Sequence, residues 1–115
     1  MALLSNVQHL LEQATEAYLF GLFEASAVVA RAALEVTLVG RWDAKHKGPA
    51  PGAQTGERLK LLVAAAAQRG VITEPQRSLA VRVKQAGDNA AHGGQVDRSR
   101  ALSALVALRR FIGEF

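Results

Sequence analysis

Residues 20–42 read FGLFEASAVVARAALEVTLVGRW, and the rest of the chain must pack around them. Apolar residues fall on nearly every side of the helix this stretch predicts, the mark of a central element and not of a surface one. At about 100° per residue, Glu24, Val28, Arg31, Glu35, Leu38 and Trp42 line up in one narrow stripe. Three charges therefore sit on a helix otherwise suited to the interior. Buried charge is costly unless paired, so Arg31 and Glu35, one turn apart, either neutralise each other or help to build a site.

Working outward, residues 3–19 carry Leu3, Leu4, Val7, Leu10, Leu11, Ala14, Ala17 and Tyr18 at helical spacing, with Ser5 and Gln8 as a capping box. Gly21 marks a bend into the central helix or a close contact within a continuous one. A helix over 22–42 is about 31 Å long. Residues 43–56 (DAKHKGPAPGAQTG) form the one evident loop, since Pro49 and Pro51 among three glycines cannot sustain a helix. A third helix over 57–69 turns Leu59, Leu62, Val63, Ala66 and Ala67 inward and ends at Gly70.

Thr73, Pro75 and Gln76 announce a fourth helix through a Thr-x-x-Gln capping pattern with proline in its first turn. Leu79, Val83, Ala86 and Ala90 supply its apolar stripe, and beside them runs a polar one: Ser78, Arg82, Gln85, Asn89 and His92. Gly93-Gly94 break that helix. Asp97 then caps a last one, in which Ala101, Leu102, Leu105, Leu108 and Ile112 recur at three and four. No strand-like alternation appears, so the fold class is all-α: a four- to five-helix bundle in a single domain spanning 1–115.

The totals agree. At 115 residues the chain supports one core. Half the residues are hydrophobic but only 5% are aromatic, and abundant alanine favours closely packed helices. With no cysteine there is neither a disulfide framework nor a thiolate metal site, which fits a cytoplasmic protein. The start of the chain lacks the pattern of a signal peptide, and Glu24, Arg31 and Glu35 interrupt the best apolar run, so no membrane partner is expected. Residues 1–44 hold two basic and five acidic side chains, net −3, whereas residues 45–115 hold twelve and five, net +7. A basic second half suits either a solvated surface or an acidic partner such as nucleic acid.

Most catalytic signatures are absent: no glycine-rich phosphate loop, no His-Glu-x-x-His and no nucleophile elbow. His9, His46 and His92 with scattered acids form no metal-ligand pattern, and no cofactor is implied. The segment Gly87-Asp88-Asn89-Ala90-Ala91-His92-Gly93-Gly94 stands apart. It places two polar residues and a histidine among small residues that let a backbone or ligand come close. His92 is either a general acid/base or a structural residue capping the helix end through a carbonyl.

The segments EAYLFGLFEASAVVARAALE, GVI and VRVKQAGDNAAHGG together resemble the bacterial family called domain of unknown function 4145. That family is placed in the HEPN superfamily of helical bundles (higher eukaryotes and prokaryotes nucleotide-binding). The resemblance spans nearly the whole chain, and its specific part is Arg-Ala-Ala-Leu-Glu together with Gly-Asp-Asn-Ala-Ala-His. It implies a homodimeric domain associated with RNA or another nucleic acid, or with a partner protein of a phage-defence, restriction or toxin–antitoxin system. HEPN ribonucleases typically pair two Arg-x(4–6)-His motifs across a dimer.

This chain departs from that motif. An arginine is needed at 85, 86 or 87, where Gln85, Ala86 and Gly87 stand. Lys84 and Arg82 lie one and three positions too early, and Asp88 occupies the place of the family's asparagine, with Asn89 one step later. Arg41 to His46 matches formally, but ten arginines and three histidines give about 0.8 such matches by chance. The expectation is therefore a non-catalytic interaction or regulatory module, with Arg31, Glu35, Lys84, Asp88 and Asn89 as binding residues. In that arrangement Arg31 and Glu35 face Asn89 and His92, and Glu35 orients the imidazole. The alternative is a metal-independent ribonuclease using His92 as acid/base with Arg82 or Lys84.

Overall fold

The computed structural model describes residues 2–45, 51 and 57–113. Five helices follow in order: α1 (Ala2–Leu19), α2 (Phe23–Lys45), α3 (Arg58–Gln68), α4 (Glu74–Ala91) and α5 (Arg98–Gly113). No strand occurs among the described residues. The all-α reading holds. Two details of it change. Helix α1 begins at Ala2, so Ser5 lies inside it and does not cap it; Leu3 and Leu4 lie outside the residues whose side chains are described. Helix α2 runs on through Asp43, Ala44 and Lys45, because nothing before the prolines stops it. Apart from Pro51, the expected loop at 46–56 lies outside the described residues.

The bundle is organised by α2, the one helix among those described that packs against all four others. Small residues make that possible. Ala14, Ala30, Ala33, Ala66, Ala80 and Ala107 are fully buried and let helix axes approach, while Leu34, Leu38, Leu59, Leu62, Val83, Leu108 and Phe111 fill the space between them. Ser26 is also buried, and its hydroxyl donates to the carbonyl of Ala14 at 2.8 Å, tying α2 to α1. Removing a Leu34- or Leu38-sized side chain from such a site costs about 2–5 kcal/mol. The charged stripe of α2 proves to be oblique: Glu24 and Val28 are exposed at one end, Arg31 and Glu35 are half-buried, and Leu38 and Trp42 are buried at the other. The apolar faces of α2 are thus covered largely by the protein's own helices.

Helix ends follow the local chemistry. Thr73 and Gln76 form a complete capping box at the start of α4: the Thr73 N–H donates to Gln76 Oε1 at 2.7 Å and the Gln76 N–H to Thr73 Oγ1 at 3.3 Å. At the end of α4, Gly93 adopts φ +81° and the Gly94 N–H reaches back to the carbonyl of Asn89 at 2.7 Å. A left-handed residue there satisfies two otherwise unpaired carbonyls, and glycine adopts it without the steric cost of a Cβ. Gly21 and Gly70 end α1 and α3 in the same way. No helix among the described residues is long and apolar enough to cross a membrane.

Candidate functional site

The Gly-Asp-Asn-Ala-Ala-His segment lies at the end of α4, where α4 crosses α2. Gly87 is buried against α2: a Cβ built there would stand 2.5 Å from Arg31 Cβ, 2.8 Å from Arg31 Cδ and 3.0 Å from the Ala27 carbonyl oxygen. Only glycine permits this approach. The next residue then reaches across. Arg31 Nε donates to Asp88 Oδ1 at 2.7 Å, and Lys84 Nζ, one turn earlier on α4, donates to Asp88 Oδ2. One carboxylate is thus held by two cations, all three side chains being less than a third exposed.

This corrects the expected pairing. Arg31 is satisfied by Asp88 from α4, not by Glu35 on its own helix; Glu35 is half-buried and makes no hydrogen bond or ion pair among the described residues. A neighbour at i+4 is attractive only when nothing better is offered, and a carboxylate brought to 2.7 Å by helix packing is better. Burial of Asp88 acts to raise its pKa. The hydrogen bonds from Lys84 and Arg31, with their positive charges, outweigh that and hold the carboxyl below its ordinary value.

Asn89 points away from Arg31. Its side-chain amide donates to the Gln95 carbonyl at 3.1 Å, and its carboxamide occupies the space that a Cβ at Gly94 would need. That bond holds the turn between α4 and α5. Val96, 3% exposed, plugs the turn against Ala27 and Ala101, and its N–H faces Glu24 Oε1 at 3.5 Å. His92 stands at the helix end with its side chain exposed. Its backbone N–H bonds the Asp88 carbonyl at 3.0 Å, but its imidazole forms no hydrogen bond among the described residues. Capping is therefore done by backbone, and neither Glu35 nor any other described acid orients the ring. Arg41 begins the formal Arg-to-His match, and His46 lies outside the described residues.

Arg82, the other cation weighed with His92, lies on the opposite side of α4 from the clamp. It lines an open groove of about 480 Å³ between α4 and α5 together with Gln85, Ala86, Asn89, Arg100 and Ser103. Three of these belong to the polar stripe visible in the sequence. Arg100 and Ser103 were missed, because only the antiparallel return of α5 brings them to that stripe. His92, the last member, is not among the lining residues.

Among the described residues, fold and geometry define a bundle of five α-helices with a charged clamp on one side of α4 and a basic groove on the other. No family model, no curated protein and no solved structure matches the chain.

Proposed function

We propose that this protein is a small HEPN-like helical module that works by binding and not by cleaving, as an interaction or regulatory component linked to phage defence, restriction or RNA processing. One observation carries the reading: Asp88 holds both Arg31 and Lys84. The two cations best placed to serve a reaction at the Asp88–His92 segment are committed to a carboxylate. That arrangement ties α2 to α4 at their crossing, and the His92 imidazole has no hydrogen-bond partner among the described residues. The direct test is incubation of purified protein with single-stranded RNA without metal. No cleavage above background is expected, whereas robust cleavage that disappears in His92→Ala overturns the reading.

A second reading, a metal-independent ribonuclease, is favoured by Arg82, which is exposed, free of any described ion pair and on the same polar stripe as His92. There His92 is the acid/base and Arg82 stabilises the developing phosphate charge. It requires that Arg82→Ala and His92→Ala each reduce cleavage.

A homodimer in the cytoplasm completes the proposal. Its support is the apolar corner between α1 and α2, where Leu19 and Phe20 are each 74% exposed and Leu22 57%. Light scattering at micromolar concentration is expected to give twice the chain mass, and a monomeric mass removes this part of the proposal.

A further inference from the structure

The groove between α4 and α5 combines three properties. It has basic side chains from both walls, Arg82 from α4 and Arg100 from α5. Neither has an ion-pair partner among the described residues. The acids nearest in sequence form no ion pair with either guanidinium: Asp97 Oδ1 accepts the backbone N–H of Arg100 at 2.8 Å at the start of α5, and Asp88 is held by Arg31 and Lys84. Two like charges sharing one cleft without a counter-ion repel, and an anion between them removes that cost.

The rest of the lining says which anion. Gln85 and Ser103 add an amide and a hydroxyl that make no other hydrogen bond among the described residues, so the two guanidinium forks are flanked by neutral polar groups. Guanidinium is planar, always charged and weakly hydrated, and its fork matches two oxygens of a phosphate. Arg82, Gln85 and Asn89 recur at three and four along one face of α4, so they present their groups as a single wall. A volume of about 480 Å³ is within the range of sites for small ligands. The lining holds no aromatic ring, whereas grooves that track single-stranded nucleic acid use aromatic platforms for successive bases.

We infer that the α4–α5 groove is a binding site for a small phosphate-bearing molecule, with Arg82 and Arg100 clasping the phosphate and Gln85 and Ser103 completing its hydrogen bonds. The site does not rest on the HEPN-like reading or on His92, which is not among its lining residues, although it shares Arg82 with the ribonuclease reading.

Inorganic pyrophosphate is the probe. Titrated into the full, isotopically labelled chain, it is expected to cause saturable NMR shifts confined to the Arg82, Gln85, Asn89, Arg100 and Ser103 signals. Arg82→Ala and Arg100→Ala are each expected to weaken binding about tenfold, as is raising salt from about 50 to 200 mM. Both residues are exposed, so the variants keep the fold, which circular dichroism verifies. Arg77→Ala, at an exposed arginine paired with Glu74, is the control and leaves binding unchanged. Shifts spread evenly over all surface arginines, or no dependence on Arg82 and Arg100, overturn the inference. So does groove-dependent binding of a single-stranded RNA oligonucleotide with none of pyrophosphate, since that identifies a strand-binding surface instead.

Discussion

Arg31 on α2 and Asp88 on α4, 57 residues apart in the chain, are joined Nε to Oδ1 at 2.7 Å, directly beside the point where Gly87 lies against the Arg31 side chain. The steric contact sets how closely the two helices approach, and the charged bond sets their register. Lys84 closes the arrangement from within α4. The Gly87–His92 segment is thus anchored to α2 through Asp88, which is held from both sides by Arg31 and Lys84.

Replacing Asp88 by alanine leaves two partly buried cations facing each other without their shared anion. The loss is expected to be about 1–2 kcal/mol, at the lower end for charged hydrogen bonds because the group remains part-exposed. Urea unfolding measures it as a lower midpoint at unchanged slope.

The same carboxylate predicts an acid limb in stability. Its pKa is lowered in the folded protein relative to the ordinary aspartate value of 3.8, so folding is favoured while Asp88 is charged. That contribution is fully present above pH 3.8 and is lost as pH falls through the lower, folded-state pKa. Stability profiles of the wild-type protein and Asp88→Asn are therefore expected to converge with acidification. A constant gap down to acid pH contradicts the clamp.

Gly87→Ala sets two effects of opposite sign against each other. Alanine gains about 1 kcal/mol of helix propensity over glycine, but overpacking costs about 1–3 kcal/mol. With Arg31 Cβ at 2.5 Å and the Ala27 carbonyl at 3.0 Å, neither of them the movable end of a side chain, overpacking wins. A fall in melting temperature is expected, and Arg31→Ala in the same chain does not restore it, because Arg31 Cβ and the Ala27 carbonyl remain.

Thr73→Ala removes one half of the capping box that starts α4 and is expected to cost about 1 kcal/mol. His92→Ala, at an exposed side chain without a hydrogen bond among the described residues, is expected to change stability by less than about 0.5 kcal/mol. Thermal unfolding of the two variants side by side separates them. A large loss for His92→Ala shows that the imidazole has a structural role after all.

What was legible in the chain alone was governed by neighbours within one helical turn. Thr73 with Gln76, the helix-ending glycines at 70 and 93, and the apolar repeat of Leu79, Val83 and Ala86 depend on local backbone geometry, and they appear where the residue order places them; at Gly21 the sequence left a bend and a close contact equally open, and its φ of +77° decides for the bend. The partner of Arg31 was not legible. Glu35 is the nearer acid in sequence, and Asp88 displaces it only because Gly87 lets α4 approach. The same holds for the groove: the Arg82–Gln85–Asn89 wall is a sequence pattern, but its facing Arg100 is supplied by the return of α5. Amino-acid order by itself determined the helices and most of their ends, the start of α1 and the end of α2 excepted, since those follow from interactions at separations of three or four residues. The tertiary structure alone decided which charges neutralise one another and which stay free, because that depends on distances between helices, which local propensity does not encode.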